Sequence, residues 1–193
     1  MSTVDRARGH AVVLVPVKAF GQAKMRLSTV LTPTDRAALA KRLATHVVSA
    51  ARPLPVAVVC DDTEVACWAK DLGAQVVSEP GIGLNAAVTA AFTQLASLGY
   101  ERVIVAHADL PLATPLAWLA EEDGIVLVPD RRRDGTNVIS LPAGCGFRFM
   151  YGPGSFARHQ QEAERTGCPW KVVYDNSLAW DIDLPDDMSP VVP

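Results

Sequence analysis

The chain has 193 residues, of which 49% are hydrophobic and 20% charged, the balance of a folded globular protein and not of a disordered one. A net charge of −3 argues against nucleic acid or an anionic membrane as a bulk partner, so any anion site has to be local. The polar opening MSTVDRARGH lacks the apolar centre of a secretory leader and no apolar run reaches bilayer-spanning length, so a cytoplasmic protein of one domain (residues 1–193) is expected.

In chain order, AVVLVPV (11–17) is a nearly continuous apolar run, the pattern of a strand buried on both faces. A loop follows that carries Lys18, Lys24 and Arg26 with no acidic residue before Asp35. TPTDRAALAKRLATHVVSAARP (32–53) reads as a helix capped by Thr32 or Thr34, with Pro33 in its first turn. PVAVVC (55–60) is a second strand. Asp61 and Asp62 are read first as caps of the helix TEVACWAKDLG (63–73) and second as ribose contacts; Gly73 closes that helix. AQVVSE (74–79) is a third strand, GLNAAVTAAFTQLASLG (83–99) a long helix, and ERVIVAHADLP (101–111) a fourth strand halted by Pro111. This alternation predicts a parallel sheet with right-handed crossovers and helices on both faces.

The rhythm then changes. TPLAWLAEE (114–122) predicts a short helix, GIVLVPD (124–130) and TNVISLP (136–142) closely spaced strands, and GPGSFARHQQEAERTG (152–167) a polar helix stopped by Gly167. PWKVVYD (169–175) and LAWDIDLP (178–185) are expected to close the domain as strands, with residues 1–10 and 186–193 as loose tails. The cysteines show neither disulfide nor zinc spacing, and Cys60 and Cys67 are expected to be buried thiols. Trp68, Trp118 and Trp170 are assigned to packing, and Trp180 to the core ahead of a shielding role beside Asp181.

In an open α/β sheet, ligands gather outside the carboxyl ends of the strands. The basic loop stands there, with Gly21 to let the backbone approach closely. Lys18, Lys24 and Arg26 either surround a polyphosphate or form an ordinary solvated surface; neither a Walker loop nor G-x-G-x-x-G is present. Asp109 falls at the end of the fourth strand. Asp181 and Asp183, two apart on a predicted strand, share a face. Each has a plainer reading, Asp109 as a turn or cap and D-x-D as an exposed edge. Gathered at one sheet edge, the three carboxylates would raise one another's pKa unless a cation neutralised them, and Mg²⁺ suits hard oxygen ligands. His107 shares a face with Asp109 and is read as a hydrogen-bonded core residue ahead of a contact to metal ligand or phosphate.

Taken in order, VPVKAFGQAKMRL, GLNAAV, ADLP, DGTN, GPGSFARH and DIDLP resemble the guanylyltransferases of coenzyme F-420 assembly, which act on phosphoenolpyruvate or 2-phospho-L-lactate and fall within the molybdopterin-guanylyltransferase-like group. The resemblance runs along nearly the whole chain. It implies an α/β nucleotidyltransferase fold of the GT-A, Rossmann-like kind, a three-layer sandwich on a mixed, mainly parallel sheet. It further implies GTP as donor and two Mg²⁺ ions held by Asp109, Asp181 and Asp183. Thr136, Gly152 and Ser155 would hold the phosphorylated three-carbon acid. Lys18, Lys24 and Arg26 would stabilise the triphosphate and the departing pyrophosphate. SEPGIGLNAAV would lie over the guanine, with Gly83 in close approach, Asn85 bonding base or ribose or else standing plainly in the first turn of a helix, and main-chain carbonyls or Glu79 accepting the ring N–H and the amino group.

The chemistry agrees with the residues. A phosphate monoester is largely dianionic at neutral pH, its second pKa being about 6, and needs no general base. No Ser/His/Asp or Cys/His arrangement is evident. Ser155 also reads as a plain helix N-cap, and Arg131–Arg133 carry no assigned role. Competing readings are a molybdenum-cofactor nucleotidyltransferase, whose glycine-pair loop is missing here, a sugar-nucleotide enzyme with a D-x-D metal site, and a non-catalytic nucleotide-binding module. Phosphoenolpyruvate is favoured as acceptor on the resemblance alone, and a homodimer is left open.

Overall fold

A computed structural model describes residues 11–78 and 83–188. Seven strands form one sheet: β1 (Ala11–Pro16), β2 (Val56–Cys60), β3 (Gln75–Ser78), β4 (Arg102–Ala106), β5 (Ile125–Pro129), β6 (Thr136–Pro142) and β7 (Trp170–Val172), in the order β3-β2-β1-β4-β6-β5-β7. β6 runs antiparallel to both neighbours, β4 and β5, and the remaining pairings are parallel. The reversal follows from chain length. Only residues 130–135 join β5 to β6, far short of the dozen or more that a parallel crossover needs. β6 therefore enters the sheet beside the carboxyl end of β4, with Val138 opposite Ala106, and Thr136 is delivered to the ligand-binding edge.

Helices α1 (Pro33–Ala50), α2 (Thr63–Asp71), α3 (Leu84–Ser97) and α4 (Ser155–Thr166) cover the sheet. Successive side chains of β1 go to opposite layers, as a pleated strand requires. Val13 and Val15 pack with Ala44 and Val47 of α1 and Val65 and Trp68 of α2. Val12 and Leu14 pack with Val88 and Leu95 of α3 and Phe156 and Ala163 of α4. The caps are where the sequence puts them: Thr32 Oγ1 accepts the Asp35 N–H at 3.2 Å with Pro33 as first helical residue, and an Asp62 carboxylate oxygen accepts the Val65 N–H at 3.0 Å. The four cysteines are free; Cys60 is buried, but Cys67 is exposed on the outer face of α2, contrary to expectation. The predicted helix at 114–122 is reduced to one 3-10 turn, Ala117–Ala120.

The largest departure concerns LAWDIDLP, which is not a strand. An Asp175 carboxylate oxygen accepts the N–H groups of Ser177 (2.8 Å) and Leu178 (3.1 Å), and this Asx turn diverts the chain from the sheet edge. The segment then crosses the carboxyl ends of the strands: Arg131 N–H donates to Ala179 O at 2.8 Å and Ile182 N–H to Asp109 O at 3.2 Å. The alternation that resembled a strand reflects one fully buried residue, Ile182, packed with Leu27, Leu39 and Leu43 between two polar neighbours. Nor are residues 186–188 a loose tail. They belong to a 3-10 turn, Pro185–Met188, in which Asp187 is 0% exposed.

Candidate active site

A cavity of about 460 Å³ opens at the carboxyl ends of β1 and β4. Lys18, Lys24 and Arg26 line it from the loop after β1, and His107 and Asp109 from the end of β4. Thr136 contributes from the start of β6, Gly152 and Ser155 from the entrance of α4, and Asp181 and Asp183 from the crossing segment. Acidic residues separated by some seventy positions thus share one cleft with the basic loop.

At its centre the geometry differs from the expected metal shell. Lys24 sits in the left-handed region at φ 54°, and its ammonium donates to Asp109 Oδ2 at 2.5 Å, to Ile182 O at 2.5 Å and to Asp183 Oδ1 at 3.4 Å. Arg26 Nη1 pairs with Asp183 Oδ2 at 3.1 Å. Burial alone would lower the Lys24 ammonium; the carboxylates outweigh it and hold the amine above its ordinary value. Burial alone would likewise raise Asp109, and Lys24 reverses this, keeping the carboxyl below the usual carboxylate range. Among the described residues Asp181 forms no ion pair of this kind: burial first, then the charges of Asp109 and Asp183, push it up to about 6.

Among the described residues, no group of three or more acidic, histidine or cysteine side chains converges as a metal site. The three aspartates therefore do not form a preformed shell, because the Lys24 ammonium has been drawn between two of them. For the same reason the basic loop is not a free-standing nucleotide cradle. Lys24 and Arg26 are paired across the cleft, while Lys18 stands exposed on the rim. The donor set nevertheless suits a hard cation. Asp109 Oδ1 is buried with no hydrogen-bond partner.

On the opposite wall, Gly154 (φ 70°) occupies the cap position of α4 and provides no capping side chain, while Ser155 is the first helical residue, 2% exposed and facing the cavity. Ser155 is not an N-cap, so its hydroxyl and the N-terminal end of the helix converge on one spot suited to an anion. Gly152, at φ 123°, makes the turn into that end.

Asn85, expected at base or ribose, is otherwise engaged: Oδ1 accepts the Tyr151 N–H at 2.6 Å and Nδ2 donates to Tyr151 O at 3.1 Å. It clamps the residue immediately before the Gly152–Ser155 turn. Gly83 caps α3 at φ 79°, and Glu79 lies outside the described residues. Replacing Asn85 with alanine strands both main-chain groups, with an expected cost of about 1–3 kcal/mol in urea unfolding.

His107, expected as a hydrogen-bonded core residue, is a further correction. Its Nε2 is buried without a hydrogen-bond partner on the cavity wall, and its ring packs on Tyr151 at 5.1 Å between centroids. Burial, the dominant influence, lowers its pKa.

The Arg131–Arg133 run acquires a role the sequence did not disclose. Arg131 and Arg132 both grip the Asp187 carboxylate, and Arg133 lies over Tyr174 at 4.7 Å. Trp180 is neither core nor shield: Arg131 stacks 4.2 Å above its ring and its indole N–H donates to Asp187 O at 3.0 Å. Sequence reasoning also passed over Asn137, whose Nδ2 donates to Leu178 O at 3.0 Å and lies 3.5 Å from Asp181 Oδ1, and His159, bonded to Thr136. The only signal for Asn137 was its place next to Thr136 in DGTN.

The family model described as guanylyl transferase CofC like matches residues 11–192. The chain belongs to the CofC-like family. A phosphoenolpyruvate guanylyltransferase of Sphaerobacter thermophilus is 36% identical to this CofC-like chain, covering 92% of it and 90% of the relative. A 2-phospho-L-lactate guanylyltransferase of Methanocaldococcus infernus is 27% identical, covering 92% and 82%. Among solved structures, a nucleotidyl transferase of Methanothermobacter superposes with a TM-score of 0.67 at 15% identity, covering 94% of this chain and 95% of the other. A CMP:2-keto-3-deoxy-manno-octonic acid synthetase complexed with CTP gives 0.61 at 10% identity, covering 95% and 97%. These superpositions place the CofC-like chain in the nucleotidyltransferase fold of the GT-A kind. No helix among its described residues is long and apolar enough to cross a membrane.

Proposed function

We propose that this CofC-like protein is a cytoplasmic guanylyltransferase that moves GMP from GTP to the phosphate of a phosphorylated three-carbon acid, phosphoenolpyruvate ahead of 2-phospho-L-lactate, and releases pyrophosphate in coenzyme F-420 biosynthesis. The observation that carries this reading is the shared cleft, in which Asp109, Asp181 and Asp183 face both the basic loop and the entrance of α4.

Mg²⁺ is proposed as the cofactor, held by Asp109 together with Asp181 or Asp183. A magnesium ion takes only one or two carboxylates beside substrate phosphates, so a closed three-acid shell is not required. The partnerless Asp109 Oδ1 and the upward-shifted Asp181 are the features that favour a cation there. Bound, the ion would neutralise phosphate charge and polarise the α-phosphoryl group. The chain's own residues do the rest. Lys18 and Arg26 reach the triphosphate from the rim, and Ser155 with the first turn of α4 receives the acid. The dianionic acceptor phosphate attacks without a base, so catalysis rests on positioning and charge.

The test offers GTP, ATP or CTP with phosphoenolpyruvate, 2-phospho-L-lactate, 3-phosphoglycerate or a sugar 1-phosphate, with and without Mg²⁺, and measures pyrophosphate release and product mass. The expected result is Mg²⁺-dependent release with GTP and phosphoenolpyruvate, and a guanosine-diphosphate-linked acid as product. Turnover of sugar phosphates with no such product would assign the cleft to sugar-nucleotide chemistry instead.

A further inference from the structure

His159 lies on α4 with 0% exposure and stands behind Thr136, itself 0% exposed in the wall of the cavity, so that a ligand reaches its hydroxyl only by pressing into that wall. Both of its ring nitrogens are engaged. The main-chain N–H of Met150 points at Nε2 at 2.9 Å, and Nδ1 is 3.0 Å from Thr136 Oγ1. A backbone N–H can only donate, so Nε2 presents its lone pair and a neutral ring carries its proton on Nδ1. Burial first, then the neighbouring Arg158, push this imidazole down to about 4, so the ring is neutral at physiological pH and the tautomer is set by geometry. The bond to the threonine therefore runs from Nδ1–H to Oγ1 and occupies a lone pair of the hydroxyl. The hydroxyl's own hydrogen is left over, and among the described residues the chain provides no acceptor for it.

We infer that His159 is a positioning residue that sets the polarity of the Thr136 hydroxyl, so that Thr136 donates its proton into the cleft and selects an acceptor-only anionic oxygen of the substrate. The inference rests on the guanylyltransferase reading and deepens it. A carboxylate or phosphate oxygen fits such a donor, especially beside the N-terminal end of α4 and the Ser155 hydroxyl, whereas an ammonium group presents the wrong polarity. Without the imidazole the hydroxyl becomes a free rotor, and its donation to the ligand competes with other orientations.

Two measurements test this. Long-range ¹H–¹⁵N correlation spectra of the wild-type protein at pH 7 should show His159 protonated at Nδ1 only; an Nε2–H tautomer or an imidazolium overturns the inference and needs no variant to fold. Steady-state kinetics of Thr136→Val, His159→Phe and the double variant then supply the linkage. Each single change should raise the acceptor KM about ten- to a hundredfold, the scale of one lost hydrogen bond to a charged group, with the GTP KM within about twofold. The double variant should be no worse than Thr136→Val, because His159 acts through that hydroxyl. Fully multiplicative effects, or equal shifts in the GTP KM, overturn it. A wild-type protein that transfers GMP to none of the phospho-acids sinks the functional reading and this inference together. An active wild type with the wrong tautomer sinks only the inference.

Discussion

Asp109→Asn is expected to lower guanylyl transfer at least about a hundredfold in saturating GTP and Mg²⁺ while the protein remains folded. The substitution keeps the shape of the side chain at the end of β4 and removes its charge. Two roles disappear together. Asp109 Oδ2 is the closest carboxylate to the Lys24 ammonium, and Oδ1 is the buried oxygen with no partner inside the protein. Lys24 keeps Ile182 O and Asp183 Oδ1, so the ammonium is not stranded and the stability loss should be limited. Asp181, whose upward shift owes its second-largest part to Asp109, should titrate closer to an ordinary carboxylate. Initial rates of pyrophosphate release, with thermal melts as the folding control, decide the matter. Near-normal turnover removes Asp109 from the reacting centre.

Asp187→Ala should destabilise the fold by about 2–3 kcal/mol, because it leaves the Asp183 and Leu184 N–H groups without their acceptor, while the Arg131 and Arg132 side chains, 32% and 38% exposed, keep access to water. This carboxylate, wholly enclosed, takes the guanidinium of Arg131, that of Arg132 at 2.6 Å, and the N–H groups of Asp183 at 2.9 Å and Leu184 at 2.7 Å. Burial alone would raise its pKa. The Leu184 and Asp183 N–H groups and then the two arginines prevail and hold it at about 2, against an ordinary 3.8. The sign follows from that depression. The folded state binds the proton more weakly than the unfolded chain, so the stabilisation is complete above about pH 4 and fades as pH falls toward 2. Urea unfolding at pH 7 and near pH 3 should show the gap between wild type and variant narrowing at the lower pH; a gap that stays constant contradicts the stabilising role of the ionised Asp187. Because the two N–H donors belong to Asp183 and its neighbour, the variant should also lose activity through a displaced D-x-D segment.

Much of the scaffold was readable residue by residue. The runs at 11–17, 55–60 and 101–111 contain β1, β2 and β4, the last ending at Ala106, because continuous apolar stretches suit a sheet covered on both sides, and Thr32 and Asp62 cap helices by bonds three residues long. The site was readable through the order of its motifs and the rule that strand ends carry ligands. Where the reading slipped, the deciding partner was remote. An alternating D-I-D looks the same whether its isoleucine faces a sheet or the patch formed by Leu27, Leu39 and Leu43. A lysine in a basic loop shows no sign that an aspartate 85 positions away, and another 159 away, will claim its ammonium. Asn85, 66 positions from Tyr151, passes for a helix-start residue, and Asp187 for part of an acidic tail.

Composition, periodicity and local capping were thus enough to establish an α/β chain, its principal strands and helices, and the acidic and basic residues that its chemistry would need. Folding in three dimensions settled the antiparallel entry of β6, the diversion of residues 175–184 across the strand ends, and the pairing of Lys24 and Arg26 with Asp109 and Asp183 in the cleft. The division has a physical cause. Backbone propensity and hydrophobic pattern act over a few residues and leave their mark in neighbouring letters. Ion pairs and buried hydrogen bonds join groups far apart in the chain, and their partners are chosen only when packing has excluded water and brought those groups within reach.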